Sequence, residues 1–206
     1  MDIYRRLEVA RWVAFGAMLL DHVGQLEAWG AWSSMVGRVA MPTFAICWAF
    51  AYASDRDGDR LYRAAARLAL FGLAAQVVTP IPSHHYMLNA LFMFALSSII
   101  WACILDRLWL AASVLFLLGS CATEYWWVGQ IFVLSCLACW RYRSWSGLAL
   151  VIASMSALCW LNDSLFPVLS LVVCATSMWV PVLPRSRLTL IHLYPAHLAA
   201  IGLFFG

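Results

Sequence analysis

The sequence contains no lysine: all 13 of its basic residues are arginine. Charge of either sign is scarce, at 11% of 206 residues, where a soluble domain carries about a quarter. The chain is 65% apolar with a mean hydropathy of +0.83, which excludes an ordinary water-soluble domain and reads as an integral membrane protein. A net charge of +3 is too small to argue for nucleic acid. There is no polar linker and no internal repeat, so one domain is expected over residues 1–206. No small-residue cleavage pattern follows the first apolar run, which is therefore expected to stay as a span and not to be removed as a signal peptide.

Disulfide and metal frameworks are missing too. The seven cysteines all fall inside apolar runs and not in loops. Cys136 and Cys139 form a C-x-x-C, but no second pair or nearby histidine completes a zinc site, and they read as small packing residues. The run from Asp55 to Asp59 alternates aspartates without the remaining ligands of a calcium loop. No metal is expected.

What the chain does have is a series of runs approaching 20 apolar residues, the length that crosses a bilayer as helix. Nine candidates lie roughly at 7–28, 34–54, 64–80, 87–105, 108–122, 126–140, 147–161, 165–183 and 188–206. The expected fold is all-α, a polytopic integral membrane helical bundle of about nine transmembrane helices, eight to ten. Short connections make consecutive helices antiparallel neighbours. The 12 tryptophans sit mostly near the ends of these runs, where indoles suit the membrane interface.

Arginine sets the orientation. Arg5, Arg6 and Arg11; Arg56, Arg60, Arg63 and Arg67; Arg107; Arg141 and Arg143; and Arg185 and Arg187 alternate onto one side, which the positive-inside rule makes cytoplasmic, with the N-terminus on that side. Arg38 is the exception. Such an arginine usually has a ligand or a partner, and Glu27 in the neighbouring loop is a candidate partner. The outer side then collects Glu27, His84, His85, Asn89, Glu124 and Asp163, with Asp21, His22 and Arg38 in the outer halves of their helices.

The first run carries the most unusual pair, Asp21 and His22, and polar groups this deep normally face a bundle interior or a wet cavity. Ten residues separate Arg11 from His22, which puts them within about 20° on one helix face and roughly 16 Å apart along it. That face can hold an anion with Arg11 and present an imidazole deeper in the bilayer; alternatively, Arg11 is an anchor and Asp21–His22 a structural pair. In the last run Pro195 is expected to kink or unwind the helix. Tyr194 and His197 share a face, and His197 is the better site candidate. His192, His84 and His85 read as interfacial or loop histidines.

Five patterns then occur in order: Asp21-His22-x-Gly24; Gly37-Arg38-Val39-Ala40-Met41-Pro42-Thr43-Phe44-Ala45; Asn89-Ala90-Leu91-Phe92; Glu124-Tyr125; and Tyr194-Pro195-Ala196-His197-Leu198. Together they resemble the TraX family, integral-membrane proteins associated with N-terminal acetylation of conjugative pilin. The resemblance implies an inner-membrane acetyltransferase with acetyl-CoA as cytoplasmic donor and a pilin subunit, or another envelope acceptor, as partner. The Arg11–His22 spacing also resembles membrane acyltransferases that modify cell-surface polysaccharides. Two departures are Met41, where the pattern usually has phenylalanine, and Trp126, where glycine commonly follows Glu124-Tyr125.

Residues and resemblance point the same way. Arg11, Arg67, Arg141 and Arg143 are candidates for the phosphates of the donor. His22 is the candidate general base or, less favoured, a transient acetyl carrier. Asp21 and Glu124 would orient it or bind a cationic amine, Arg38 and Asn89 would polarise the thioester carbonyl, and His197 would assist proton transfer. Competing readings are an O-acetyltransferase acting on a glycan or lipid, a proton-coupled solute transporter, and a haem or quinone protein using His22 and His197.

Overall fold

Three alanines on one face, Ala10, Ala14 and Ala17, let neighbouring helices approach helix α1 (Ile3–Leu26) closely, and all three are buried. Trp12, Val13 and Leu20 of the same helix are exposed. The computed structural model describes residues 3–27, 29–79, 87–180 and 190–205. Among them the protein is all-helical, with a single isolated bridge between Leu88 and Thr123 and no strand.

The next rod is broken into α2 (Ala31–Gly37) and α3 (Ala40–Tyr52). Pro42 explains the break, because its ring lacks an N–H and sits against the carbonyl four residues back, that of Arg38. Arg38 and Val39 keep right-handed dihedrals, so the chain bends without reversing. Helices α4 (Asp59–Val78) and α5 (Ala90–Leu105) form the most extensively packed pair. Helix α6 (Trp109–Val114) continues through a π-helical turn, Leu115–Gly119, and a 3-10 turn, Ser120–Ala122.

Helices α7 (Trp126–Tyr142) and α8 (Trp145–Leu161) follow, and the Ser144 hydroxyl caps the latter by accepting from the Gly147 N–H at 3.1 Å. A short 3-10 turn, Phe166–Val168, leads into α9 (Leu169–Ser177). Helix α10 (Leu190–Phe205) runs through Pro195 without the unwinding expected from the sequence.

Among the described residues, each of the nine apolar runs thus carries helix, the second in two pieces and the eighth ending at Ser177. Among the described residues two helices, Ala31–Tyr52 and Asp59–Val78, are long and apolar enough to cross a membrane by length and composition. The outward surface is strongly apolar: Leu110 is 80% exposed, and Trp145 and Trp160, at the two ends of α8, are 86% and 84% exposed. Inside, one core joins α1, α3, α4, α5, α7, α8 and α9 around Met41, Leu61, Met93, Phe132 and Leu158, and a second joins α1, α3, α4, α5 and α10 around Met18, Ala75, Tyr194 and Leu198.

Candidate functional site

Glu8, Arg11, Phe15, Met18, His22 and Gln25 recur every three or four residues along α1, the spacing of one helix face, and all six line one cavity of about 1400 Å³. One end of that cavity is basic, with Arg60, Arg63 and Arg67 of α4 facing Arg11. The other holds Asp21, Arg38, Glu124, Tyr125 and Trp126. Between them the walls are mostly apolar and aromatic, formed by Phe15, Met18, Phe44, Phe71, Phe94 and Tyr194.

His22 lies on the cavity wall and is otherwise buried. Its Nδ1 is 2.9 Å from Nε2 of His197, whose own Nδ1 is 3.1 Å from the Leu193 carbonyl oxygen. The rings of Phe15 and Tyr194 meet His197 edge-on, at centroid distances of 5.5 and 5.4 Å. The structure thus brings α1 and α10 together through two imidazoles that are 175 residues apart in the chain.

At the acidic end, Asp21 accepts a hydrogen bond from Gln25 Nε2 at 3.0 Å and is packed against Gly37. Arg38 is close to Asp21, Glu124 and Tyr125, and this set, not Glu27, surrounds its guanidinium. The Glu124 loop is pinned on both sides: Leu88 N–H donates to the Ala122 carbonyl at 2.8 Å, and Glu124 N–H donates to the Leu88 carbonyl at 2.9 Å. The Glu124 carboxylate accepts from the Ala90 backbone N–H at the start of α5. Burial, reinforced by the charge of Asp21, pushes the Glu124 carboxyl up to about 7, against the opposing pull of Ala90 and Arg38. Tyr125 and Trp126 have φ of 61° and 48°, the left-handed region that favours glycine. The loop keeps its sharp turn with tryptophan in place, and the Trp126 indole donates to Met87 Sδ at 3.3 Å.

At the basic end, Arg11 is paired with the buried Glu8 at 3.0 Å. Arg60 is paired with Asp55 at 2.8 Å and lies over the Tyr52 ring at 4.9 Å. The sequence placed Arg60 and Arg63 only among the cytoplasmic arginines and did not single out Glu8, which was legible as the residue one turn before Arg11 on the same face.

Three expected site residues are placed elsewhere. Arg141 donates to the backbone carbonyls of Ala53 and Asp55, tying α7 to the end of α3, and does not line the cavity. Arg143 is the left-handed residue that ends α7, also off the cavity. Asn89 is the N-cap of α5: its Oδ1 accepts from the Leu91 N–H at 3.0 Å, and its Nδ2 donates to the Gly72 carbonyl at 2.8 Å and to Gln76 Oε1 at 3.1 Å. Fully engaged and buried, that amide has no group directed at a substrate carbonyl. His192, in contrast, lines the cavity, edge-on to Phe71 at 4.7 Å. Cys136 and Cys139 are free thiols within α7. His84, His85, Arg185 and Arg187 lie outside the described residues.

A family model described as TraX protein matches residues 6–204, nearly the whole chain. The chain belongs to the TraX family. Membership carries an association with conjugation and pilin. The match spans every motif from Arg11 to His197, so the cavity is built entirely from the part of the chain that the TraX model covers. No curated protein and no solved structure matches this TraX chain.

Proposed function

We propose that this TraX-family protein is a polytopic inner-membrane acetyltransferase that moves an acetyl group from cytoplasmic acetyl-CoA to a primary amine at the outer side, the N-terminal amine of a pilin subunit. The observation that carries this reading is the cavity itself, which runs from an arginine cluster, past His22, to a pair of carboxylates. The membrane part is supported by the run of helices among the described residues, the apolar outward surface and the gathering of arginine at alternate connections. On that topology the N-terminus and the arginine end are cytoplasmic.

Coenzyme A brings several phosphate charges, and guanidinium groups are the side chains best matched to them. Arg11, Arg60, Arg63 and Arg67 would hold the nucleotide end. The pantetheine arm would follow the α1 face, and Arg11 to His22 is about 16 Å of helix rise. The incoming ammonium is attracted by Asp21 and Glu124 and must shed one proton, to water at the outer end of the cavity, before it can react. As the amine nitrogen attacks the thioester carbonyl carbon, His22 takes the nitrogen's second proton. Arg38 stabilises the negative charge that develops on the carbonyl oxygen. The C–N bond forms, the C–S bond breaks, and the proton held by His22 passes to the departing sulfur, leaving an amide and the free thiol.

The test is transfer by the purified protein in lipid nanodiscs, with labelled acetyl-CoA and a peptide bearing the pilin N-terminus, read by mass spectrometry. Acetylated peptide is expected from the wild type and none from a folded His22→Ala variant. Full activity in that variant removes His22 from the chemistry, and solute uptake into liposomes without acyl-CoA would favour a carrier.

A further inference from the structure

The geometry points to His197 as a positioning residue that, through its bond to the Leu193 carbonyl, sets the proton of His22 on Nδ1 and so makes Nε2 the basic nitrogen of a ring that lines the cavity. The inference rests on the reading of His22 as the base and goes further, because it assigns each proton in a two-histidine chain.

The assignment follows from what each atom is able to do. A carbonyl oxygen only accepts, so the 3.1 Å contact between Leu193 O and His197 Nδ1 requires the proton on that nitrogen. A neutral imidazole carries one proton, so His197 Nε2 is an acceptor. The nitrogen facing it at 2.9 Å, His22 Nδ1, must then be the donor. That leaves His22 Nε2 as the basic atom, on a ring that lines the cavity.

Ring geometry supports a true hydrogen bond. The planes are 8° apart and the centroids 5.1 Å apart. Rings stacked face to face at van der Waals contact keep their atoms about 3.5 Å or more apart. The 2.9 Å approach of the two nitrogens is shorter than that. The rings therefore meet edge to edge in nearly one plane, which directs the His22 N–H along the lone pair of His197. Phe15 and Tyr194, each edge-on at 82°, prevent His197 from turning away.

The chain also acts during the reaction. When His22 Nε2 accepts a proton from the amine, positive charge appears on a ring whose other N–H is already held, and the bond to His197 becomes charge-assisted and stronger. His197 touches neither donor nor acceptor: it does not line the cavity.

The test compares His197→Gln, whose amide oxygen accepts near the same place, with His197→Leu, which fills space but accepts nothing. For the leucine variant kcat should fall about 100-fold or more, the scale of a lost general base, with KM for acetyl-CoA unchanged. The glutamine variant should stay within about tenfold of wild type, which a merely space-filling role would not produce. Nitrogen NMR of labelled histidine in the wild type should show His22 protonated on Nδ1. A proton on Nε2 of His22, or a leucine variant with wild-type kcat beside an inactive His22→Ala, overturns the proposal; if the leucine variant does not fold, the wild-type spectrum and the glutamine variant decide. If the wild type transfers no acetyl group and yet shows the Nδ1 proton, the enzymatic reading fails and the proton assignment stands.

Discussion

Asp21 and Gly37 lie so close that a β-carbon added to Gly37 would fall 2.6 Å from the Asp21 Cγ. The two residues join α1 to the end of α2, immediately before Arg38. Gly37→Ala is therefore expected to cost about 1–3 kcal/mol of stability, the usual penalty for overpacking, and to reduce transfer by displacing Arg38. Thermal unfolding and the transfer assay measure the two effects separately, and a variant with wild-type behaviour in both would show that the contact relaxes freely.

Glu124 predicts a pH dependence. Its carboxyl is pushed up to about 7 from an ordinary 4.5, so the folded protein keeps a proton that the unfolded chain has already lost. The folded state binds more protons across that window, so stability falls as pH rises from about 4.5 to about 7 and then levels off. Glu124→Gln should flatten this part of the stability profile. An unchanged slope in the variant would assign the dependence to another group.

The two ends of the arginine set should separate cleanly. Loss of one charge-assisted phosphate contact is worth about 1.5–3 kcal/mol, so Arg11→Ala or Arg67→Ala should raise KM for acetyl-CoA at least tenfold. Arg141→Ala should leave that KM alone and lower the melting temperature, because its guanidinium serves the Ala53 and Asp55 carbonyls. Isothermal titration with acetyl-CoA and a melting curve distinguish these outcomes, and equal loss of donor binding in all three variants would contradict the division.

Asn89→Ala should likewise act on stability. It removes the cap of α5 and the side-chain bonds that Asn89 donates to the Gly72 carbonyl and Gln76, at a cost of about 1–2 kcal/mol. Activity per folded molecule should survive, which a direct role on the thioester would not allow.

Much of this was legible from periodicity alone. Among the described residues the apolar runs are helical, and the phase of Arg11 and His22 placed both on one cavity wall. Charge patterning was less discriminating, since it cannot separate an arginine that faces a cavity, such as Arg63, from one that ties two backbones together, such as Arg141. Asn89 was ambiguous because a polar residue opening a helix suits a site and a cap equally, and its three hydrogen bonds are those of a cap. The union of His22 with His197 depends on how the first and last helices pack, which no local pattern encodes.

The aromatic middle of the cavity carries one more implication. In a bilayer, an opening that joined both faces through continuous water would dissipate the ion gradients of the cell. Phe15, Phe44, Phe71 and Phe94 line that cavity, and on the proposed topology apolar rings there would oppose a continuous file of water. The same throat that would guide a slender thioester inward would thus keep the membrane electrically tight between turnovers.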